Sequence, residues 1–580
     1  MEERDLQLFS MKNKEKICIL VLLLLILFVN IHYLNLKSGY YVDEGMTLFL
    51  ANGHYNGTVT SKSEYGISDF IRTYVIKEGD GPAQVVGNIK NMLAKLTGAG
   101  NYSSEGTVGW YDAARSMLQG TPTWVCGNEL FQEITAGKGE RFQYGQVYIN
   151  QALDVHPILY YVVVHTVFSI FAGNYSDAFL FGINIAFLLL TCILIYRMVK
   201  RYWNDDVMAM LAMTIFGLSQ GFISCAVYFR MYAMLTFFVM LVLDQHMNLC
   251  SHAGDALATR KKRLLLGLTV WAGFNTHYYF ILFLLPLFAM TCFRIGKDKK
   301  ILWSYVKTMI VAGVISIVFW PFSIYHILFG YRGTEALANV GSSGIFGKLY
   351  GCFKEFANAF TLGNQIVLAA IFLLIAVVMI INVRKKKLNL WMFSVMLVPG
   401  MVYLIAVAQV APSISDRYVM CLFPIIAVTI AYGIMKGVTL FTESSRVRTV
   451  SAGVLMLVFL VISMTAVTPN YLYREQSNWK LGVQGEKADY ACLMIGFDHG
   501  QGFSEVVKLS EFANVLVVGR AELEGITVAE EQLGRLVVYV FAGMDVDETL
   551  DELSQRAEIK NSWTQIDSDI ESFQAYIYDF

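Results

Sequence analysis

The sequence predicts a polytopic α-helical membrane protein with about eleven transmembrane helices, a structured extracytoplasmic first loop and a small α/β domain at its C-terminal end. Three observations predict it. Of the 580 residues 56% are hydrophobic and only 16% charged, with a mean hydropathy of +0.49, a composition that a water-exposed surface does not sustain. Apolar windows of roughly 20 residues, the length that crosses a hydrocarbon core about 30 Å thick, recur through the first four-fifths of the chain. Clusters of Lys and Arg separate these windows in the manner of cytoplasmic loops. The formal net charge of -1 gives no reason to expect a nucleic-acid partner.

Residues 1–16 carry Arg4, Lys12, Lys14 and Lys16 and are read as a cytoplasmic N-terminus. The first span, 17–34, is followed by no small-residue cleavage site and is read as a retained anchor. Residues 37–154 are polar and too long for a simple connection, so they are expected to form a structured extracytoplasmic loop. The next basic cluster is Arg197, Lys200 and Arg201, whereas 173–177 has no positive charge. Residues 156–172 are therefore placed along the outer interface rather than across the membrane; thirteen spans are the alternative. Residues 207–243 read as a hairpin with its outer turn at 219–228. Further hairpins are closed by Lys297 to Lys300, by Arg384 to Lys387, and by Lys436 with Arg446 and Arg448. Their tips fall outside at 276–279, 325–364 and 411–417. A last span, 451–468, completes a transmembrane domain of residues 17–468, loop 37–154 included. It leaves 469–580 outside as a soluble α/β domain, in which 491–497, 514–518 and 536–541 read as strands and 546–559 as a helix. The chain is thus expected in the plasma membrane with its N-terminus cytoplasmic and its C-terminal domain extracytoplasmic. Of nine cysteines, Cys126, Cys352 and Cys492 are predicted outside, enough for at most one disulfide. Asn56 and Asn101 head glycosylation sequons, which occur often by chance.

The residues able to carry chemistry gather on the predicted outer face. Asp43 and Glu44, in Tyr40-Tyr41-Val42-Asp43-Glu44-Gly45, suit the first turn of a helix, but a carboxylate at the membrane surface is also well placed to act as a base. There the apolar rim is expected to raise its pKa by desolvation. One carboxylate suffices for transfer from a phosphate-activated sugar, because the phosphate leaves as a stable anion and only the acceptor hydroxyl must lose a proton. Asp154-Val155-His156-Pro157-Ile158-Leu159-Tyr160-Tyr161, with His165 beyond, marks the return to the membrane. Asp154 and Pro157 are ordinary helix-start residues, and the two histidines lie on different helical faces, poorly placed to share a metal. Arg230, in Phe229-Arg230-Met231-Tyr232, sits in apolar surroundings where an arginine costs roughly 2.5–3.5 kcal/mol on insertion scales. Arg417, in Asp416-Arg417-Tyr418, lies at an outer boundary, and His277 with Tyr278 stands at the same level. Two arginines at one depth suit a lipid phosphate.

In their order and outer placement these motifs, with Pro424, resemble the GT-C superfamily of membrane glycosyltransferases. Within it they are similar to the family-39 branch of protein O-mannosyltransferases and lipid A aminoarabinose transferases. The resemblance covers roughly residues 17–468. It implies transfer of a sugar from a polyprenyl-phosphate donor to a glycan, lipid or protein acceptor on the extracytoplasmic face, with inversion. By analogy Asp43 is the first candidate base and Glu44 the second. Arg417 and Arg230 are candidates for the donor phosphate, and Asp154, His156, Tyr160, His165, Tyr232, His277, Tyr278 and Tyr418 for binding substrate. No cofactor is implied with certainty and a divalent metal stays open. Ile158 stands where family members commonly have a second Pro, the first loop looks long, and the C-terminal domain has no counterpart in the resemblance.

Two other classes compete: a multi-span transporter, and a catalytically inactive relative serving as an assembly or sensor protein. No internal repeat or paired helix break supports the former, and eleven spans are excessive for anchoring alone. The basic clusters make the orientation testable. Cysteine probes at Ser413 and beyond Asn470 should react with an impermeant thiol reagent from outside, and a probe at Lys385 should not; labelling at Lys385 would invert the topology.

Overall fold

The computed structural model describes residues 13–54, 79–97, 123–257, 259–341, 344–385, 390–525, 535–557 and 559–579. Asn56 and Asn101 lie outside them. Among the described residues eight helices are long and apolar enough to cross a membrane: Asn13–Leu34 (α1), Asp177–Trp203, Tyr232–His252, Lys299–Phe319, Gln365–Arg384, Trp391–Val410, Met420–Phe441 and Ser445–Thr465. A ninth crossing results if Asp206–Gly217 and Gln220–Val227, bent by 54° at the break between them, count as one span. Two more predicted spans, Arg260–Thr276 and Phe280–Ile295, are helices of 17 and 16 residues. The segment 156–172, expected along the outer interface, contains Leu159–Ile170, a helix of 12 residues. At 1.5 Å per residue it is roughly 18 Å long and cannot cross unaided.

Lipid as solvent shows in which side chains face outward. Ser445–Thr465 and Lys299–Phe319 expose most of their apolar residues, Leu457 and Val318 among them, whereas Tyr232–His252 is almost wholly buried at the centre of the bundle. Helix starts are capped by short polar side chains: Asp205, Asp298, Asn364 and Ser444 each accept from a backbone N–H in the first turn. Where the basic clusters lie, ion pairs fasten neighbouring helices, with Arg201 on Asp244 at 3.1 Å and Arg448 on Asp205.

At the opposite end, helix Val42–Asn52 (α2) follows the first span directly. The turn predicted at 219–228 is occupied by helix Gln220–Val227, the second member of the bent pair, and the break before the next spanning helix lies at 228–231. The tip at 325–364 holds helices Phe322–Leu328, Tyr331–Asn339 and Ile345–Thr361.

The C-terminal segment forms a sheet with strands β2 (Ala491–Gly496), β3 (Asn514–Gly519), β4 (Arg535–Phe541), β5 (Thr564–Ile566) and β6 (Phe573–Asp579). A two-residue strand, β1 (Val125–Cys126), comes from the first loop. The order is β1-β3-β2-β4-β6-β5, with β2 parallel to both β3 and β4 and the remaining pairs antiparallel. The first loop and the C-terminal segment therefore share one sheet, which sequence patterning did not reveal. Strands β2, β3 and β4 are apolar on both faces, as parallel strands covered on both sides must be. Leu493, Val518 and Val538 pack under the helix Val546–Arg556, while Met494, Val517 and Tyr539 join the core that continues into the helical bundle. All nine cysteines are free.

The sheet is seated on α2. Phe503, in the turn after β2, lays its ring edge-on to Phe49 at 5.5 Å, and its carbonyl oxygen lies where a Cβ on Gly45 would be, 1.7 Å away. Gly45→Ala should therefore push the two segments apart at a cost of about 1–3 kcal/mol. Thermal unfolding of the purified chain would show this as a lowered Tm, and an unchanged Tm would mean that this contact does not hold α2.

Candidate active site

The two adjacent carboxylates at the start of α2 have different duties. Glu44 is buried, and its oxygens accept from Tyr41 N at 2.6 Å, Phe229 N at 2.8 Å and Lys37 Nζ at 3.1 Å. Burial pushes its carboxyl above the ordinary glutamate value, even against the Lys37 ammonium and the two backbone donors. With its lone pairs directed into the scaffold, Glu44 closes the first turn and joins it to the segment before Arg230.

Asp43 points the other way. Its Oδ2 accepts from Arg417 Nη1 at 2.6 Å and from the Tyr228 hydroxyl at 3.1 Å. Among the described residues Oδ1 has no hydrogen-bond partner, and the side chain keeps 26% exposure. Burial pushes its pKa up, but the guanidiniums of Arg230 and Arg417, with His156 and the Tyr228 hydroxyl, outweigh burial and hold it below the ordinary aspartate value. The raised pKa expected from sequence is therefore not the resting state, because charge rather than desolvation decides.

Arg230 is nearly inaccessible, and its Nη1 donates to the Asp43 carbonyl at 3.1 Å, Thr47 Oγ1 at 2.8 Å and the Tyr161 hydroxyl at 3.0 Å. Arg417 is more open. Besides Asp43 it reaches the Tyr228 hydroxyl at 3.2 Å and, through Nη2, the Tyr418 hydroxyl at 3.4 Å, with its guanidinium near the rings of Tyr41 and Tyr418. Among the described residues, the buried Nε of each arginine has no hydrogen-bond partner. A buried donor of this kind calls for explanation, and guanidiniums with unused donors form an anion-accepting centre.

Other predicted residues complete or miss this centre. His156 Nδ1 lies 2.9 Å from Asp154 Oδ2. Burial opposes ionisation of Asp154, but His156 and Arg230 hold its pKa far below the usual range. His277 bridges towards Arg417 through rings: His156 at 6.0 Å, Tyr232 at 5.5 Å and Tyr279, which in turn faces Tyr418 at 5.7 Å. His165 lies elsewhere, at the far end of α2, between Asn52 and the backbone N–H of Gln143. Tyr160 turns towards Asn184, and the Tyr278 hydroxyl engages His326 and Trp320. Among the described residues no three His, Cys, Asp or Glu side chains converge as a metal-ligand set.

Several participants escaped the sequence reading. Tyr161 and Tyr228 lay inside quoted motifs but without a role, and Thr47 lay just beyond one. Asn184, buried in Asp177–Trp203, donates to the Tyr228 carbonyl at 2.6 Å and so holds the break that presents Arg230. Its one signal was an amide in the middle of a long apolar run.

The division between the carboxylates gives a prediction. Glu44→Gln leaves Lys37 buried without its counter-charge and should destabilise the chain by roughly 3 kcal/mol, measured by thermal unfolding in detergent. Lys37→Met in the same chain should restore part of the loss; if Glu44→Gln unfolds like the parent, Glu44 is not a scaffold residue.

No family model and no curated protein matches the sequence. Among solved structures, the chain is similar in fold to the crystal structure of ArnT from Cupriavidus metallidurans bound to undecaprenyl phosphate, at 10% identity and a TM-score of 0.41, over 73% of this chain and 88% of that one.

Proposed function

We propose that this chain is a membrane glycosyltransferase that moves a sugar from a polyprenyl-phosphate donor to a hydroxyl acceptor on the extracytoplasmic face, with Asp43 as the base. One observation carries the reading: a partly exposed carboxylate with a free oxygen sits beside two guanidiniums that retain unused donors, where the helices emerge beneath the sheet. That arrangement pairs a proton acceptor with an anion holder, the two functions that transfer from a phosphate-activated sugar requires.

The geometry supports the following course for the reaction. Arg417 is the principal phosphate holder, because it is the more open arginine and its Nη2 has only the long Tyr418 bond. Arg230, committed to the Asp43 carbonyl, Thr47 and Tyr161, fixes the start of α2 and adds charge from behind. In the resting state, against burial, Arg230 and Arg417 hold the Asp43 carboxyl below the ordinary aspartate value. A donor phosphate competing for the Arg417 guanidinium loosens the pair and raises the basicity of Asp43 as the substrate arrives. Asp43 then takes the acceptor hydroxyl proton, the acceptor oxygen bonds to the anomeric carbon, and the bond from that carbon to the phosphate oxygen breaks. Polyprenyl phosphate leaves with the electron pair. A single displacement from the face opposite the phosphate inverts the anomeric centre.

The test is transfer by the full chain in lipid nanodiscs, with a panel of polyprenyl-phosphate sugars and glycan, lipid and peptide acceptors. Asp43→Asn should lower transfer roughly 10²- to 10⁴-fold while donor binding survives. Arg417→Lys, which keeps the charge but loses the planar fork, should weaken donor binding. Full activity in Asp43→Asn would remove it as the base, and unchanged donor affinity in Arg417→Lys and Arg417→Ala would remove the phosphate site.

A further inference from the structure

The chain that leaves the last span for the sheet begins with two backbone outliers. Tyr471 and Tyr473 have φ of 68° and 51°, the left-handed region that bulky residues rarely adopt and that persists only where surroundings enforce it. Around Tyr471 the ring and hydroxyl contacts belong to the Asp43 centre, and the backbone contacts to the segment before α2. The Tyr471 ring stacks on Tyr228 with centroids 4.0 Å apart and planes 11° from parallel, and meets Tyr41 edge-on at 6.0 Å. Its hydroxyl donates to the Asp416 carboxylate, which also accepts from Asn470 Nδ2 at 2.8 Å. Its carbonyl accepts from Lys37 Nζ at 2.7 Å, and the next carbonyl, that of Leu472, accepts from Ser38 N at 2.7 Å.

We propose that Tyr471 is a positioning residue for the Asp43–Arg417 centre, acting through the ring of Tyr228. The proposal rests on the function proposed above but concerns geometry that exists before any substrate binds. Tyr228 is the middle member of a three-ring stack, with Tyr471 on one face and Tyr232 on the other at 5.7 Å and 11°. Its hydroxyl serves both Asp43 and Arg417, so the place of that hydroxyl depends on the ring being clamped. Tyr471 supplies one jaw. Its hydroxyl also bonds Asp416, which Asn470 Nδ2 holds as well, so the ring contact is the part of the clamp specific to Tyr471. The segment that leads into the sheet thereby becomes part of the site.

Around Asp43 the charged and titratable groups among the described residues include Arg230, Arg417, His156, Tyr228, Tyr161 and Tyr232, with Asp154 behind His156 and with Glu44 and its partner Lys37 on the near side of α2. If the clamp is lost, the carboxylate loses a hydrogen bond to its ionised form, and its titration moves to higher pH by about one unit, the scale of one such bond. That movement can be read without sugar transfer. The full chain in nanodiscs is labelled with a water-soluble carbodiimide and an amine across a pH series, and modification at Asp43 is followed by mass spectrometry. Tyr471→Leu and Tyr228→Phe should both shift the labelling midpoint upward, whereas Tyr471→Phe, which keeps the ring, should label like the parent. In a transfer assay Tyr471→Leu should lower kcat about tenfold, with donor KM unchanged and Tyr471→Phe restoring it. An unmoved midpoint in Tyr228→Phe overturns the proposal even if the leucine variant fails to fold. A shift in Tyr471→Phe as large as in Tyr471→Leu overturns the route through the ring. Should the midpoints move as expected while the parent transfers no sugar from any donor, the positioning role stands and the proposed function falls.

Discussion

The ion pair between Asp43 and Arg417 is the constraint around which the membrane-emergent end of the molecule is assembled. It joins residues 374 positions apart, one in the first turn after the first span and the other in the short turn before Met420–Phe441. A charge withdrawn from water is costly unless a counter-charge and hydrogen bonds replace the lost hydration. Neither residue can occupy its place without the other, so α2, the break at 228–231 and the turn at 416–418 have to come together as one unit. Arg230 makes the arrangement stricter, since its Nη1 holds the carbonyl of Asp43 rather than its carboxylate. The backbone is thus fixed by one arginine and the side chain by the other.

Around this pair lie supports that do no chemistry themselves. Glu44 and Lys37, fully buried, form a second pair that locks the start of α2. Asn184 holds the Tyr228 carbonyl from the middle of a spanning helix, and Asp416 is taken up by Asn470 and Tyr471. Each neighbour of a key residue is committed to the scaffold: Glu44 beside Asp43, Asp416 beside Arg417. Having adjacent carboxylates or an adjacent Asp–Arg pair, one member facing inward and the other towards the site, lets a single backbone segment anchor itself and present a reactive group.

The fold was legible in the sequence to the extent that it depends on local composition. The long apolar windows are helices, Leu159–Ile170 is too short to cross, and the three central strands fall where the apolar runs place them. Asp43, Arg230 and Arg417 stood out because charge among apolar residues is costly enough to need a reason. What lay hidden depends on contacts between distant segments. Asp43 and Glu44 cannot be assigned roles from spacing, since their difference lies in what Phe229 and Arg417 happen to face. The two-residue strand β1 has too few residues to show a period, yet it ties the first loop to the sheet. Tyr471 looked like one tyrosine among 32, and only its stacking partner and its positive φ distinguish it. His165 and Tyr278 illustrate the converse: both sit near the right level of the bundle and are occupied by other contacts.

Charge balance shows why one carboxylate and two guanidiniums suit the proposed chemistry. Arg230 and Arg417 carry two positive charges and ionised Asp43 one negative charge, so these three groups together leave one net positive charge. A polyprenyl-phosphate sugar is a phosphodiester with one negative charge, so its arrival neutralises the centre. During transfer the acceptor proton goes to Asp43, which loses its charge, while the departing phosphate becomes a monoester with two. The sum is again neutral. No net charge needs to enter or leave a centre partly shielded from water, where an uncompensated charge would be most expensive. The resting contact between Asp43 and Arg417 fits the same account, because under the proposed function the donor phosphate engages the guanidinium that Asp43 holds at rest. Exchange of partners at Arg417 would then free the proposed base as its substrate arrives.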